Sequence, residues 1–330
     1  MDRDAGRDPP VAPKSRAEIN AEINKEASVL TRRTFIAQAG LGLLAGGRAA
    51  AQSGRVGEAL APRAQLTVIA QVPTPDAPPT RLTPASLTLY DGGTEQVIES
   101  VEPDPSAATI VFLADNSATF QVEVAEMEQL ARALIRELFA GDRLMLIGYA
   151  KEPEILCDLT EDASQLVAGA KLFRKRSTPR LYDALLAVTE DVFRPATTVG
   201  KRVVALLSDG YDEGSQTTFE NALAALQSAD AVAYALQAQD RTYGAPRAKR
   251  LGPKPAEAIR QLTEGTGGRA FKLDEANAAA TLTDEVRRRW FVVRYAPQVA
   301  DVTTARRLLL VASDGQMILR AKKSHPPRWR

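Results

Sequence analysis

From Thr109 onward the chain repeats one pattern, a short and almost unbroken apolar run followed by a longer segment with apolar residues at helical spacing. The runs Thr109–Ala114, Arg143–Tyr149, Arg202–Leu207 and Ala231–Gln237 each read as a strand buried on both faces. Between the first two, Met127, Leu130, Leu134, Ile135 and Leu138 describe one apolar helical face. Further helices are expected at Ser164–Leu172, Leu181–Phe193, Phe219–Ser228, Pro255–Thr263 and Ala276–Arg288. Strands and helices alternating in this way predict an α/β fold with a doubly wound, mostly parallel, Rossmann-like sheet. Glu154–Leu159 follows Tyr149 too closely for a crossover helix, so it is expected as an antiparallel neighbour or edge strand.

On either side the pattern is β. Leu66–Val72 alternates loosely, Pro73–Pro79 is a proline-rich loop, and Leu87–Tyr90 runs through Asp91-Gly92-Gly93 into Gln96–Val101, a hairpin signal because tight turns need positive φ angles. After Arg289, Trp290–Tyr295, Arg307–Ala312 and Met317–Ala321 are strand-like, the last two joined by Ser313-Asp314-Gly315 as a second expected hairpin. Neither flank has enough strands to be stable alone. Residues 65–105 and 290–322 are therefore expected to form one small β-sandwich into which the α/β domain, residues 106–289, is inserted, leaving 323–330 as a tail.

The chain begins with a polar stretch, then Thr31-Arg32-Arg33-Thr34-Phe35-Ile36 leads into the weakly apolar run Ala37–Gly47, and Ala49 and Ala51 give a small-x-small cleavage pattern. Residues 1–51 resemble a twin-arginine export signal with cleavage after Ala51, and 52–64 read as a linker. An uncleaved signal would remain as a membrane anchor. No later run approaches the ~20 apolar residues of a spanning helix, so the expected location is periplasmic or secreted.

Composition excludes several chemistries. Lys+Arg at 42 against Asp+Glu at 41 gives a formal charge of +1, which provides no bulk attraction for nucleic acid. The chain has a single cysteine, Cys157, and a single histidine, His325, the latter in a basic, proline-rich tail. Zinc sites built on Cys/His, Ser-His-Asp triads and Cys-His pairs are thereby removed. Cys157 reads as a core residue or an inert thiol.

Ligands of open α/β sheets bind beyond the carboxyl ends of the strands, and three polar motifs fall at that rim. The first strand ends in Asp115-Asn116-Ser117-Ala118-Thr119, the fourth in Ser208-Asp209-Gly210, and between them Ser177-Thr178-Pro179-Arg180-Leu181 introduces a helix. Alternation in an extended loop places Asp115, Ser117 and Thr119 on one side, and Thr178 and Asp209 can complete the set. Two carboxylates and three hydroxyls suit a hard cation and leave coordination positions for water or an incoming anionic group.

These residues also carry a family likeness. Asp115-x-Ser117-x-Thr119, the Ser177–Leu185 loop and Ser208-Asp209-Gly210 resemble, in order and approximate spacing, the three parts of the metal-ion-dependent adhesion site of von Willebrand factor type A (VWA) domains, and the flanking β segments look like those of bacterial exported proteins built around such a domain. The resemblance implies direct metal coordination by Ser117, Thr119 and Thr178, with Asp115 and Asp209 acting through water. Thr119 stands where serine is commoner, which keeps the hydroxyl. Mg2+ is the metal the small oxygen site implies, with Mn2+ or Ca2+ as alternatives. The implied partner is a protein that offers an Asp or Glu carboxylate to the metal, outside the cytoplasm, with no enzymatic activity.

Two other functions compete. A metal-independent structural or assembly factor of the cell envelope would use the same fold without the cation. A magnesium-dependent phosphatase-like hydrolase would use Asp115 as nucleophile, but such chemistry wants a second acid two residues on, where this chain has Ser117. The basic loop Arg241–Pro255 reads as a solvated surface segment, with steering of an acidic partner as the alternative.

Overall fold

The computed structural model describes residues 64–71, 82–195, 200–239, 252–298, 303–313 and 317–327, all within the compact unit Ala59–Arg330. The expected export signal, nearly all of the expected 52–64 linker and most of the Arg241–Pro255 loop lie outside the described residues. No helix among the described residues is long and apolar enough to cross a membrane.

A six-stranded sheet forms the centre. Its strands are β5 (Ala108–Asp115), β6 (Arg143–Tyr149), β7 (Pro153–Thr160), β8 (Lys201–Ser208), β9 (Ala231–Gln237) and β10 (Ala270–Lys272), in the spatial order β10-β9-β8-β5-β6-β7. All neighbours are parallel except β6 and β7, which confirms the antiparallel edge expected from the short Tyr149–Glu154 connection. The chain starts at the middle of the sheet, moves outward through β6 to β7, and returns to the other side of β5 as β8. The order therefore reverses between β5 and β8, where an open α/β sheet leaves a crevice.

Every residue of β5 is buried, because both faces are covered. On one face Ile110, Phe112 and Ala114 pack with Met127 and Leu134 of α1 (Val124–Arg136), Leu166 of α2 (Ala163–Ala170) and Leu282 of α6 (Ala278–Arg288). On the other, Val111 and Leu113 join a cluster with Leu185 of α3 (Leu181–Ala187), Leu226 of α4 (Phe219–Ser228) and Ile259 of α5 (Pro255–Thr266). The two clusters take alternate residues of the same strand, as the two-residue period requires. The helix expected over Leu181–Phe193 continues from α3 into a π-helical turn, Val188–Phe193, with Arg194 N–H bonded to the Thr189 carbonyl at 3.0 Å.

The flanking segments form two antiparallel four-stranded sheets. One has the order β13-β1-β11-β4, from β1 (Ala64–Gln71), β4 (Ile98–Pro103), β11 (Trp290–Tyr295) and β13 (Ile318–Ala321). The other has the order β14-β12-β2-β3, from β2 (Leu87–Asp91), β3 (Thr94–Gln96), β12 (Arg306–Ala312) and β14 (Ser324–His325). Leu66, Val68, Leu89, Val293, Tyr295 and Leu308 meet in one core fed by both sheets.

Two hairpin expectations need correction. The Asp91-Gly92-Gly93 turn does join β2 to an antiparallel partner, but that partner stops at Gln96; the chain then crosses at Val97 and continues as β4 against β11 in the other sheet. The strands on either side of 313–315 do not pair with each other: β12 lies against β2 and β14, and β13 against β1. A turn motif carries only local information. It is equally compatible with a hairpin and with a corner that passes from one sheet of a sandwich to the other, and here burial of Leu308 and Leu319 from opposite sides selects the corner.

A buried polar group ties the sandwich together. The Asp91 carboxylate accepts from Arg306 Nε at 2.8 Å and from the Tyr295 hydroxyl at 3.0 Å, and Tyr295 Oη also lies 2.8 Å from His325 Nε2. Burial holds the His325 imidazole down at about 4, with Lys322 acting in the same direction.

Candidate functional site

The rim motifs begin where β5 and β8 end. Asp115 is the last residue of β5 and Asp209 directly follows β8, and both carboxylates are fully buried. Each is fixed by a backbone N–H two residues further on, Ser117 N to Asp115 Oδ1 at 2.7 Å and Tyr211 N to Asp209 Oδ1 at 3.0 Å. These are Asx turns, which aspartate forms readily where a strand stops.

The loop bearing Thr178 is stitched to the loop bearing Ser117. Ser117 and Arg176 form a parallel bridge, Arg176 N donates to the Asn116 carbonyl at 2.6 Å, and Ala118 N lies 2.9 Å from the carbonyls of both Arg176 and Ser177. Ser177 adopts a left-handed φ of 40°, which turns the chain toward Thr178. Ser117 is fully buried and Thr178 half-buried, whereas Thr119 is exposed. The structure thus ties the loop that carries Thr178 to the loop that follows Asp115, and sets Asp209 just past the end of the adjacent strand, with Thr119 exposed.

Several residues not singled out by the sequence hold this arrangement. Tyr149, at the end of β6, reaches past β5 to place its hydroxyl 2.8 Å from Ser208 Oγ on β8, and Gly210 N donates to the same Oγ at 2.9 Å. Asp183 on α3 accepts from the backbone of Gln216 at 3.0 Å and Thr217 at 2.8 Å, so α3 clips the segment that follows Asp209. Asp212 completes the clip, accepting from Tyr182 N at 3.1 Å and the Ser215 hydroxyl at 2.6 Å. Burial raises the Asp212 carboxyl above its ordinary range, against those same hydrogen bonds. The signal available in the sequence for Asp183 is its place in Leu181-Tyr182-Asp183, an acid in the first turn of the helix that begins three residues after Thr178.

Gly210 is required by geometry. Its φ is 83°, and a Cβ there would lie 2.2 Å from the Pro255 carbonyl and 2.8 Å from Ile259 Cγ1. The backbone after Asp209 thus rests directly on the start of α5.

The family model of the von Willebrand factor type A domain matches residues 109–285, 177 of the 330 residues. The chain belongs to this family. Among solved structures, this VWA chain is similar to the conserved hypothetical protein BatB from Bacteroides thetaiotaomicron, at 17% identity over 55% of this chain and 97% of that one, with a TM-score of 0.42. It is also similar to an aerotolerance-related membrane protein from Bacteroides fragilis, at 15% identity over 56% and 98% of the two chains and a TM-score of 0.40. A von Willebrand factor type A structure from Catenulispora acidiphila matches at 10% identity over 73% of each chain, with a TM-score of 0.43. No curated protein matches the sequence.

The VWA rim residues fit a hard cation by their chemistry. Among the described residues, no group of three or more His, Cys, Asp or Glu is placed to hold a metal, so any site here must draw on hydroxyls as well. Two fully buried carboxylates carry a desolvation cost that a divalent cation would offset. The neighbouring Asn116 packs its side chain over Gly148 of β6, where its buried Oδ1 has no hydrogen-bond partner.

Proposed function

We propose that this protein is a non-enzymatic, divalent-metal-dependent protein-binding module that works outside the cytoplasm. The observation that supports the reading is the seam between Ser117 and Arg176, which ties the loop carrying Thr178, two residues after Arg176, to the loop that follows Asp115. Ser117, Thr119 and Thr178 would hold Mg2+, with Mn2+ or Ca2+ as substitutes, while Asp115 and Asp209 support it through water. The bound cation supplies a positive, coordinatively open point for an Asp or Glu carboxylate of the partner.

The protein's own part is preorganisation. Tyr149, Ser208 and Gly210 fix the end of β8, and Asp183 fixes the following loop, so little order is lost when partner and metal come together. Export rests on the paired arginines, the short apolar run and the Ala49-x-Ala51 pattern. The direct test is capture of envelope proteins on the immobilised mature chain, with Mg2+ or with a chelator, beside Asp115→Ala. A partner retained only with Mg2+ and only by the wild type is the expected result. Equal capture with chelator would replace this reading by metal-independent assembly.

A further inference from the structure

At the other end of the central sheet, where β8 begins, a cavity of about 300 Å³ opens between the α/β layer and the strands β1 and β11. Its wall includes Lys201, Trp290, Thr67, Ser106, Gln65 and Asp104. Lys201 is 3% exposed, yet its ammonium makes no hydrogen bond or ion pair among the described residues; it lies 6.0 Å from the centre of the Trp290 ring. Burial lowers the pKa of this amine, partly countered by Asp104 and Asp142 and reinforced by Arg287.

A charged amine so placed is expensive unless something solvates it. The acids on the same wall are already engaged: Asp104 accepts from the backbone and hydroxyl of Ser106, at 2.9 and 2.6 Å, and Asp230 pairs with Lys322. The cation without a hydrogen-bonding partner therefore faces the cavity. The volume lies at the lower end of the range for small-molecule pockets, roughly 300–1,000 Å³.

We propose that this cavity binds a small monocarboxylate, its anionic end at the Lys201 ammonium, its apolar part against Trp290, and Thr67, Ser106 and Gln65 around it as neutral hydrogen-bonding groups. One negative charge matches the Lys201 ammonium, since the other cation of the wall, Arg202, is engaged through its Nη1 with the Ala229 carbonyl at 2.7 Å. A second would be repelled by Asp104 and Asp230, which sets phosphate apart from a carboxylate. The site is independent of the metal rim, since it sits at the opposite ends of the same strands.

Trp290 is its own reporter once the other tryptophan, Trp329, is replaced. The full chain carrying Trp329→Phe is titrated with sodium butyrate at constant ionic strength, following indole emission. A saturable change with a Kd on the order of 1 mM is expected, weakened at least about tenfold by Lys201→Met and about threefold by the isosteric Thr67→Val. Asp115→Ala leaves the response intact, and inorganic phosphate produces none. The absence of a saturable response, or equal affinity in the Thr67→Val and Lys201→Met chains and the parent, overturns the assignment and leaves a cavity filled by water. Phosphate binding as tight as butyrate overturns the monocarboxylate class.

Discussion

Replacing Gly210 by alanine perturbs the rim without touching any proposed metal ligand. Two costs add. The left-handed φ of 83° strains an L residue by about 1 kcal/mol. The new methyl group meets the Pro255 carbonyl at 2.2 Å and Ile259 at 2.8 Å, an overpacking whose relief by movement of α5 or of the Asp209 loop costs ~1–3 kcal/mol. The sum is about 2–4 kcal/mol. Gly93 provides an internal control, for its φ is 85° and a Cβ there meets nothing within 4 Å. Gly93→Ala carries only the conformational cost, about 1 kcal/mol. Urea unfolding of both variants, compared at equal slope, should separate them by at least about 1 kcal/mol. Equal destabilisation would mean that the backbone after Asp209 does not rest on α5, and the description of the rim as a braced edge would be wrong.

Asp91→Ala should destabilise the fold by about 3–5 kcal/mol in urea unfolding, because it strands the nearly buried Arg306 and removes the acceptor of Tyr295. His325, the single histidine, is held at about 4 in the fold against an ordinary 6.5, so the unfolded chain binds the extra proton first. Its contribution to stability is complete above pH 6.5 and is lost as pH falls toward about 4; the urea midpoint should decline across that window, and His325→Gln should flatten that part of the decline. Asp183→Ala removes the acceptor for Gln216 and Thr217 N–H and should cost ~1–3 kcal/mol in the same assay while weakening Mg2+ binding through the loosened Asp209 loop. A generic phosphate ester with Mg2+ should show no turnover above background; turnover abolished by Asp115→Ala would favour the hydrolase reading.

The central sheet was legible because burial on both faces leaves an unmistakable trace, as in the apolar run of β5 and the helical spacing of Met127, Leu134 and Ile135. The sandwich was legible only as strands. Alternating patterns such as that of Arg306–Ala312 reveal a half-buried strand but not its partner, so in the sequence the change of sheet at Val97 and the passage to the other sheet after β12 are indistinguishable from hairpins. At the rim, motif residues could be read because their spacing follows the strand ends. Tyr149 could not, since nothing local to β6 indicates that its hydroxyl passes beyond β5 to Ser208. The three-residue β10 had no periodicity long enough to register.

Isothermal calorimetry of Mg2+ binding to the purified chain from Gln52 onward, beside Asp115→Ala and Thr178→Ala, tests the proposed grip most directly. Saturable binding at one site by the wild type, strongly weakened in both variants while their thermal unfolding remains cooperative, is the expected result. Absence of binding by the wild type, or retained affinity in both variants, would contradict a metal-centred rim.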